Sequence, residues 1–242
     1  MAAQESDPLE LPRPVGRLAP SPTGVLHLGN ARTFLLAWLS IRRQRGTVLL
    51  RMEDIDTARV KQGAAQAVVD DLKWLGLDWD FGPDRADGCL AGIPMCQSER
   101  FPRYRQILRQ LIDERVVYPC ECTRSQIASQ SASAPHESSW DLLEGPVYPG
   151  TCRKRWESSS EPFEFTSTLR PALRWALELG TMRWHDQLLG NQEANPLKQL
   201  GDFVIARGNG DPSYHLAVVV DDFEMGVTEV VRGDDLVLST YR

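Results

Sequence analysis

The fold of this chain is decided by the stretch Arg17-Leu18-Ala19-Pro20-Ser21-Pro22-Thr23-Gly24-Val25-Leu26-His27-Leu28-Gly29-Asn30. Apolar residues at its start predict the end of a buried strand, and the two prolines with Gly24 then predict a tight turn. Asn30 is expected to cap a helix that begins at Ala31. Because free N–H groups and the helix dipole attract anions at a helix N-terminus, the stretch predicts a phosphate-binding loop.

His27 taken alone has a simpler interpretation. A single histidine in a loop rich in proline and glycine is most often an exposed side chain without a chemical role. The order of the residues around it favours the phosphate-binding interpretation instead. The chain contains no GxxxxGK[ST] sequence, so this loop is not a P-loop.

The composition is that of an ordinary globular protein, with 42% hydrophobic and 25% charged residues among 242. A net charge of −6 disfavours non-specific coating of nucleic acid. No apolar run is long enough to cross a membrane, and residues 1–14 lack the basic and apolar regions of a signal peptide. Five cysteines without secretory context disfavour a disulfide framework. We therefore expect a cytoplasmic protein without membrane association, and we also expect it to be a monomer.

Helices and strands alternate in the first half of the chain. Helical spacing of apolar residues over 31–45 is followed by an apolar run at 47–52, and helical spacing returns over 65–75. Glu53 follows the apolar run, at the edge where parallel sheets bind ligands. This order predicts a right-handed, Rossmann-like α/β unit.

The composition changes in the second half of the chain. Residues 125–139 and 156–162 are rich in serine, which predicts loops around a small insertion. For residues 218–220, β propensity predicts a strand. Other strand-like runs lie at 173–177, 181–189, 202–207 and 227–231. We predict four segments: a flexible leader (1–13), the first half of the catalytic domain (14–117), a zinc-binding insertion (118–161) and the second half of the domain (162–242), whose C-terminal part we expect to be missing.

Several blocks together resemble the class I aminoacyl-tRNA synthetases of the glutamyl branch. The loop PSPTG at 20–24, followed by HLGN at 27–30, looks like their HIGH-type nucleotide-binding motif. Similar blocks follow in the same order: RMEDID at 51–56, DFVI at 202–205, YHLAVVVDD at 214–222 and VRGDD at 231–235. The resemblance implies an α/β fold with a Rossmann-like parallel sheet and a small zinc-binding insertion. It also implies a helix, and not a strand, at 218–220.

The resemblance further implies a pocket for glutamate, lined by Arg17, Ala19, Ser21, Glu53, Tyr214 and Arg232. Guanidinium groups grip carboxylates with two parallel hydrogen bonds, and a carboxylate holds an ammonium group, so these residue types suit an acidic amino acid. Taken singly, Arg232 is more simply a surface ion-pair residue and Tyr214 a core aromatic residue.

In this family, ATP with Mg²⁺ activates glutamate to glutamyl-adenylate. The resemblance therefore implies catalytic roles for His27 and Asn30, because groups at this loop stabilise charge on the phosphoryl oxygens. The implied ATP-binding motif comprises Pro20, Ser21, Pro22, Thr23, Gly24, His27, Gly29 and Asn30.

Two branches of the family compete for this sequence. One charges tRNA(Glu) and carries a helical anticodon-binding region, and the shorter glutamyl-queuosine branch attaches glutamate to the queuosine of tRNA(Asp). Shortness, the block at 214–222 and the zinc-type insertion favour the second branch, with ATP, L-glutamate and tRNA(Asp) carrying queuosine as partners. The sequence has no KMSKS-like lysine motif, so we expect a catalytic domain truncated before that loop. A fragment of an enzyme that charges tRNA(Glu), or a non-catalytic module that binds glutamate or RNA, stays open.

The insertion contains Cys120-Glu121-Cys122 and later Tyr148-Pro149-Gly150-Thr151-Cys152. Structural zinc sites need four ligands, and three thiolates leave one position to fill. From the residues alone, His136 is the conventional fourth ligand and Asp141 is a second candidate. The resemblance implies Tyr148 instead, and three free thiols without a metal are the simpler alternative.

Overall fold

The computed structural model describes residues 13–85, 89–131, 147–159 and 171–241. The chain forms two units: the first comprises the described residues of Met1–Arg100 with Val218–Leu236, and the second those of Phe101–Ala217 with Val237–Arg242. Within the part that the structure describes, no helix is long and apolar enough to span a membrane.

The first unit is built on a parallel pair of short strands. β1 (Val15–Leu18) pairs with β2 (Thr47–Leu50), and the crossover between them contains α1 (Leu28–Arg43). α2 (Ala64–Trp74) follows β2. The strand–helix–strand–helix order predicted from the apolar spacing is confirmed.

Helix α1 begins three residues earlier than the sequence predicts. Its N-cap is His27, whose Nδ1 accepts hydrogen bonds from the N–H groups of Gly29 and Asn30. The prediction that Asn30 caps a helix from Ala31 is therefore wrong, since Asn30 lies in the first turn and its Oδ1 accepts a bond from the His27 N–H. The expectation failed because Asn leads the usual ranking of N-cap residues and histidine does not appear near its top.

The core of the first unit lies between β1, β2 and the two helices. Ile41 of α1, Val48 and Leu50 of β2 and Leu72 of α2 are each at most 2% exposed. A Cβ atom on Gly16 would lie 2.3 Å from Cγ1 of Ile41. Glycine is therefore required where β1 approaches α1, because any side chain would separate the strand from the helix.

Short elements complete the first unit. β3 (Cys89–Leu90) and β4 (Ile93–Pro94) form an antiparallel pair, and a 3₁₀ helix covers Gln97–Arg100. The strand predicted at 227–231 is not formed, so that prediction is wrong. Only an isolated parallel bridge joins Glu229 to Gly16, because the segment runs beside β1 for too short a distance to make a ladder.

The strands of the second unit pair in antiparallel fashion. Its elements in chain order are α3 (Phe101–Asp113), β5 (Val117–Cys120), α4 (Arg124–Ser131), α5 (Thr151–Glu157), β6 (Ala172–Trp175), β7 (Met182–Asp186), β8 (Gly190–Ala194), α6 (Pro196–Gln199) and β9 (Val204–Ala206). The strands form a sheet in the order β5-β6-β9 and a separate β7-β8 hairpin. The loop predicted over 125–139 is helical as far as Ser131, and its remainder lies outside the described residues.

Helix α7 (Tyr214–Glu224) covers the residues for which propensity and resemblance disagree. The strand predicted from β propensity at 218–220 is wrong, and the helix implied by the resemblance is confirmed. Leu216, Ala217 and Val220 are all buried, at the spacing of one helical face. Burial of that face outweighs the weak intrinsic preference of valine for strands.

Candidate active site and metal centre

The predicted ATP motif lies in the loop between β1 and α1. Pro20 and Pro22 are buried, and their carbonyl oxygens accept hydrogen bonds from the N–H groups of Glu53 (2.9 Å) and Lys61 (3.3 Å). These bonds attach the loop to the segment that follows β2. The side chains between and after the prolines, Ser21, Thr23 and His27, are exposed. The loop therefore presents its polar side chains to solvent from an anchored backbone.

The imidazole of His27 closes the first turn of α1. Its Nδ1 accepts from two backbone N–H groups, at 3.1 Å from Gly29 and 3.4 Å from Asn30, so the proton of the neutral ring belongs on Nε2. A Cβ atom on Gly29 would lie 3.0 Å from Cε1 of this ring, so a larger residue there would require the ring to shift by a few tenths of an ångström. Two of the N–H groups that the sequence predicts to be free for an anion are thus already bonded. The Nε2–H of His27 remains as a donor on this ring.

The guanidinium group of Arg17 is paired through its Nε with a carboxylate. Its side chain is 7% exposed, and its Nε donates to Oδ1 of Asp222 at 3.3 Å. No residue in the described ranges accepts a hydrogen bond from its two terminal nitrogens. A guanidinium fixed through Nε keeps the planar pair of Nη groups for a ligand carboxylate.

Arg51, directly after β2, joins three carboxylates. Its Nη1 donates to Asp222 Oδ1 at 2.6 Å and its Nη2 to Glu53 Oε1 at 3.1 Å, while Nε lies 3.7 Å from Asp221. Burial lowers the pKa of Arg51, but the three carboxylates outweigh it and raise the pKa above its usual value. Arg17, Asp222, Arg51 and Glu53 therefore form one continuous chain of ion pairs within the first unit.

Asp221 fixes the same part of α7 from its other side. It is fully buried and accepts hydrogen bonds from Arg100 Nε at 2.7 Å and from Gln97 Nε2 at 2.8 Å. Arg100 also bonds to Glu224 at 2.6 Å. The acidic residues at the end of α7 are therefore neutralised by arginines from two different segments of the first unit.

The structure brings together part of the predicted glutamate pocket. Arg17 and Glu53 are connected by the ion pairs above, and Ala19 and Ser21 follow Arg17 along the chain. Arg232 belongs to the same unit, three residues after the parallel bridge between Glu229 and Gly16. Tyr214 belongs to the second unit, where it begins α7 and is 40% exposed.

Three of the predicted zinc ligands form a compact cluster. The Sγ atoms of Cys120, Cys122 and Cys152 all lie within 4.8 Å of one another, with 3.5 Å between those of Cys122 and Cys152. Tyr148 Oη lies 3.4 Å from Cys120 Sγ and 3.8 Å from Cys122 Sγ. Donors bonded to one tetrahedral zinc ion at about 2.3 Å lie about 3.8 Å apart. The four donor atoms therefore fit a zinc ion, whereas His136 and Asp141 lie outside the described residues.

Local backbone geometry positions these donors. Cys120 ends β5, and α5 begins after Gly150, whose φ of +76° lets the chain turn so that Cys152 lies in the first helical turn. The N–H of Cys152 donates to Tyr148 Oη at 2.9 Å. Burial raises the pKa of Cys152, but hydrogen bonds from the Glu121 backbone and from neighbouring side chains outweigh it and lower the pKa to about 7. Burial raises the pKa of Cys122 to about 11.

Two arginines beside these sites were missed by the sequence reasoning. Arg51 carries a signal that could have revealed it, because an arginine directly after an apolar strand has to be paired if it is buried. Arg174 in β6 donates from Nε to Cys120 Sγ at 3.2 Å. Nothing in the sequence indicates this contact, since 54 residues separate the two side chains.

A family comparison covers almost all of the chain. Residues 15–242 match the family described as tRNA synthetases class I (E and Q), catalytic domain. The matched region contains every residue of the predicted ATP motif, glutamate pocket and zinc site. The predicted α/β fold class of class I synthetases is confirmed by this match.

Sequence identity to curated relatives is higher for the glutamyl-Q tRNA(Asp) synthetases than for a glutamate–tRNA ligase. Glutamyl-Q tRNA(Asp) synthetase of Rhodopirellula baltica is 46% identical over 241 residues, which cover 94% of this chain and 67% of that protein. The same enzyme of Symbiobacterium thermophilum is 49% identical, with 94% of this chain and 68% of that protein covered. Glutamate–tRNA ligase of Geobacter sulfurreducens is 38% identical, with 93% and 44% covered.

A solved structure is similar over the same length. The crystal structure of a glutamate tRNA ligase from Elizabethkingia meningosepticum, in complex with its amino acid, has a TM-score of 0.72 and 27% identity to this chain. The similarity covers 94% of this chain and 45% of that ligase. The chain therefore belongs to the family of class I (E and Q) tRNA synthetase catalytic domains, on the branch of the glutamyl-Q tRNA(Asp) synthetases.

Proposed function

We propose that this chain activates glutamate with ATP to form glutamyl-adenylate and transfers the glutamyl group to the queuosine base of tRNA(Asp). The observation that carries the proposal is the state of Arg17. Its Nε is bonded to Asp222, and its two terminal nitrogens have no partner among the described residues. A buried guanidinium with an unused fork is a binding group for a carboxylate.

Glu53 supplies the complementary charge. Its carboxylate lies 3.1 Å from Arg51, which pairs with Asp222, and Asp222 in turn pairs with Arg17. These ion pairs fix the distance between the anionic Glu53 and the cationic Arg17. An amino acid with an ammonium group and an extra carboxylate matches this pair of charges. We assign Ala19, Ser21 and Arg232 to the same glutamate pocket, and we assign Tyr214 to glutamate binding as the family resemblance implies.

The first chemical step is the attack of the glutamate α-carboxylate on the α-phosphorus of ATP. A P–O bond forms, the bond to the pyrophosphate group breaks, and pyrophosphate leaves. Mg²⁺ bound with ATP neutralises charge on the polyphosphate. We propose that the Nε2–H of His27 and the dipole of α1 stabilise charge on the phosphoryl oxygens. Asn30 positions His27, because its Oδ1 accepts a hydrogen bond from the backbone N–H of His27. A hydroxyl of queuosine then attacks the acyl carbon, and AMP leaves.

We further propose that Cys120, Cys122, Tyr148 and Cys152 hold a structural zinc ion. The ion would link the end of β5 to the start of α5, two segments that are separated by more than 25 residues of chain. A metal analysis tests this directly, and we expect about one zinc per chain after gentle purification. Less than about half a zinc per chain would contradict the site.

The decisive experiment is charging with labelled glutamate. The chain is incubated with ATP and with tRNA(Asp) that contains queuosine, with tRNA(Asp) that lacks it, or with tRNA(Glu). We expect label only on the queuosine-containing tRNA(Asp). Label on tRNA(Glu) alone would contradict the proposal and favour a synthetase for that tRNA.

Glutamate-dependent exchange between ATP and pyrophosphate tests the activation step by itself. An enzyme that forms the adenylate exchanges label, whereas a module that only binds glutamate or RNA does not. Calorimetric titration with glutamate and with ATP completes the test. Binding without exchange would favour the non-catalytic alternative, and absence of any binding would refute both.

A further inference from the structure

Arg174 lies against the metal centre from the neighbouring strand. It is opposite Tyr118 in the β5–β6 pairing and is 8% exposed. Its Nε donates to Cys120 Sγ at 3.2 Å, and its guanidinium carbon lies 3.8 Å from the centre of the Tyr148 ring. Its Nη1 donates to the carbonyl oxygen of Asp202. The guanidinium is therefore fixed in three directions, two of which end on proposed zinc ligands.

The charge of the donor set explains why a cation is needed there. Three thiolates and a phenolic oxygen around a divalent ion leave the centre with a net negative charge. A buried charge is costly unless it is paired and hydrogen-bonded. In the described ranges, two guanidinium groups contact these sulfurs, Arg174 and Arg155. The side chain of Arg155 is 68% exposed, so water screens it, and Arg174 is the buried counter-charge.

We propose that Arg174 is a positioning residue of the metal centre, which orients Cys120 and Tyr148 and supplies the buried positive charge that the occupied site requires. The inference rests on the proposed zinc site. Hydrogen bonds to a sulfur ligand and a cation over the face of a ring each restrict the orientation of the group they contact. Lysine carries the same charge but has no planar face and no second donor in a fixed direction.

Zinc affinity measures this role without use of the charging reaction. The intact chain, Arg174→Met, Arg174→Lys and the control Arg153→Met are titrated with zinc against a competing chelator. Arg153 also donates to Asp202, at 3.1 Å, and among the described residues it contacts none of the three sulfurs. It is therefore a control for the loss of an arginine beside the same acid, although its side chain is 25% exposed. We expect zinc to bind about 10- to 100-fold more weakly to Arg174→Met, the usual cost of losing an outer partner of a metal ligand.

The Lys variant separates charge from orientation. The zinc affinity of Arg174→Lys should lie between that of the intact chain and that of Arg174→Met. Arg153→Met should bind zinc with the same affinity as the intact chain. Cobalt(II) in place of zinc gives a visible spectrum that reports the ligand geometry, and we expect this spectrum to change in both Arg174 variants. A purely structural role for Arg174 would lower the stability of the metal-free protein and leave the cobalt spectrum unchanged.

Two failures can be told apart. If the intact chain binds no zinc, the proposed zinc site is wrong and the role of Arg174 falls with it. If the intact chain binds zinc and both Arg174 variants bind it with the same affinity and the same cobalt spectrum, the role of Arg174 alone is refuted. If Arg174→Met does not fold, Arg174→Lys decides by the same two measurements.

Discussion

Arg51 donates a hydrogen bond to Asp222 at 2.6 Å, although 171 residues separate them in the sequence. The same oxygen of Asp222 accepts from Arg17, so one carboxylate connects a proposed substrate residue to a fully buried arginine. Positioning of the proposed glutamate pocket is thus tied to the stability of the first unit.

Replacement of Arg17 by lysine tests the unused guanidinium fork. Lysine keeps the charge but cannot form two parallel hydrogen bonds with a carboxylate. We expect the dissociation constant for glutamate to rise about 10- to 100-fold, as for the loss of a hydrogen bond to a charged group. Calorimetric titration measures it, with Arg13→Lys, an exposed arginine just before β1, as the control. Equal affinity of Arg17→Lys and the intact chain would contradict the role.

Replacement of Arg51 by methionine tests the buried ion pairs. Glu53, Asp221 and Asp222 would lose a common partner, and an unpaired buried charge costs about 3–5 kcal/mol of unfolding free energy. Urea denaturation followed by circular dichroism measures this loss. The control is Lys73→Met, whose ion pair with Asp84 is formed by a side chain that is 54% exposed, and it should lose less than about 1 kcal/mol. Similar losses in the two variants would show that burial of the network is unimportant.

His27 has two functions that can be separated by substitution. Asparagine is a strong N-cap residue but has no group equivalent to the Nε2–H, and alanine has neither property. We expect both His27→Asn and His27→Ala to reduce the exchange of pyrophosphate into ATP by about a hundredfold. The temperature of thermal unfolding should fall clearly only in His27→Ala, because this variant loses the N-cap side chain, which contributes about 1 kcal/mol to stability. Full exchange activity in His27→Asn would remove the imidazole from the reaction.

The thiols of the metal-free protein should ionise in a defined order. The pKa of Cys152 is lowered to about 7, whereas the pKa of Cys122 is raised to about 11. As the pH rises, Cys152 therefore loses its proton first. The ultraviolet absorbance of thiolates should increase in a first step near pH 7, and this step should be absent in Cys152→Ser. A first step of the same size in that variant would assign the low pKa to another cysteine.

Removal of zinc should affect the second unit locally. The proposed ligands hold the end of β5 and the start of α5, so a chelator should speed amide hydrogen exchange in those segments. Exchange in α1 and β2 of the first unit serves as the internal control and should not change. Uniform acceleration across both units would indicate global unfolding and not the loss of a local cross-link.

The local signals in the sequence were sufficient for the first elements of the chain. Apolar spacing and the Pro/Gly turn predict β1, α1, β2 and α2, because a helix or strand that buries one face carries apolar residues at a regular spacing in the sequence. The cysteine spacing likewise indicates a metal site, and the quoted blocks indicate the family. These features depend on residues that are near one another in the chain.

Tertiary structure decided the features that depend on distant partners. Residues 218–220 are helical because one face of α7 is buried. The contact of Arg174 with Cys120 depends on the pairing of β6 with β5, and that of Arg17 with Asp222 joins residues 205 positions apart. Sequence fixes which charges exist, but only the folded chain determines which of them are desolvated together, and desolvation sets how strongly they interact.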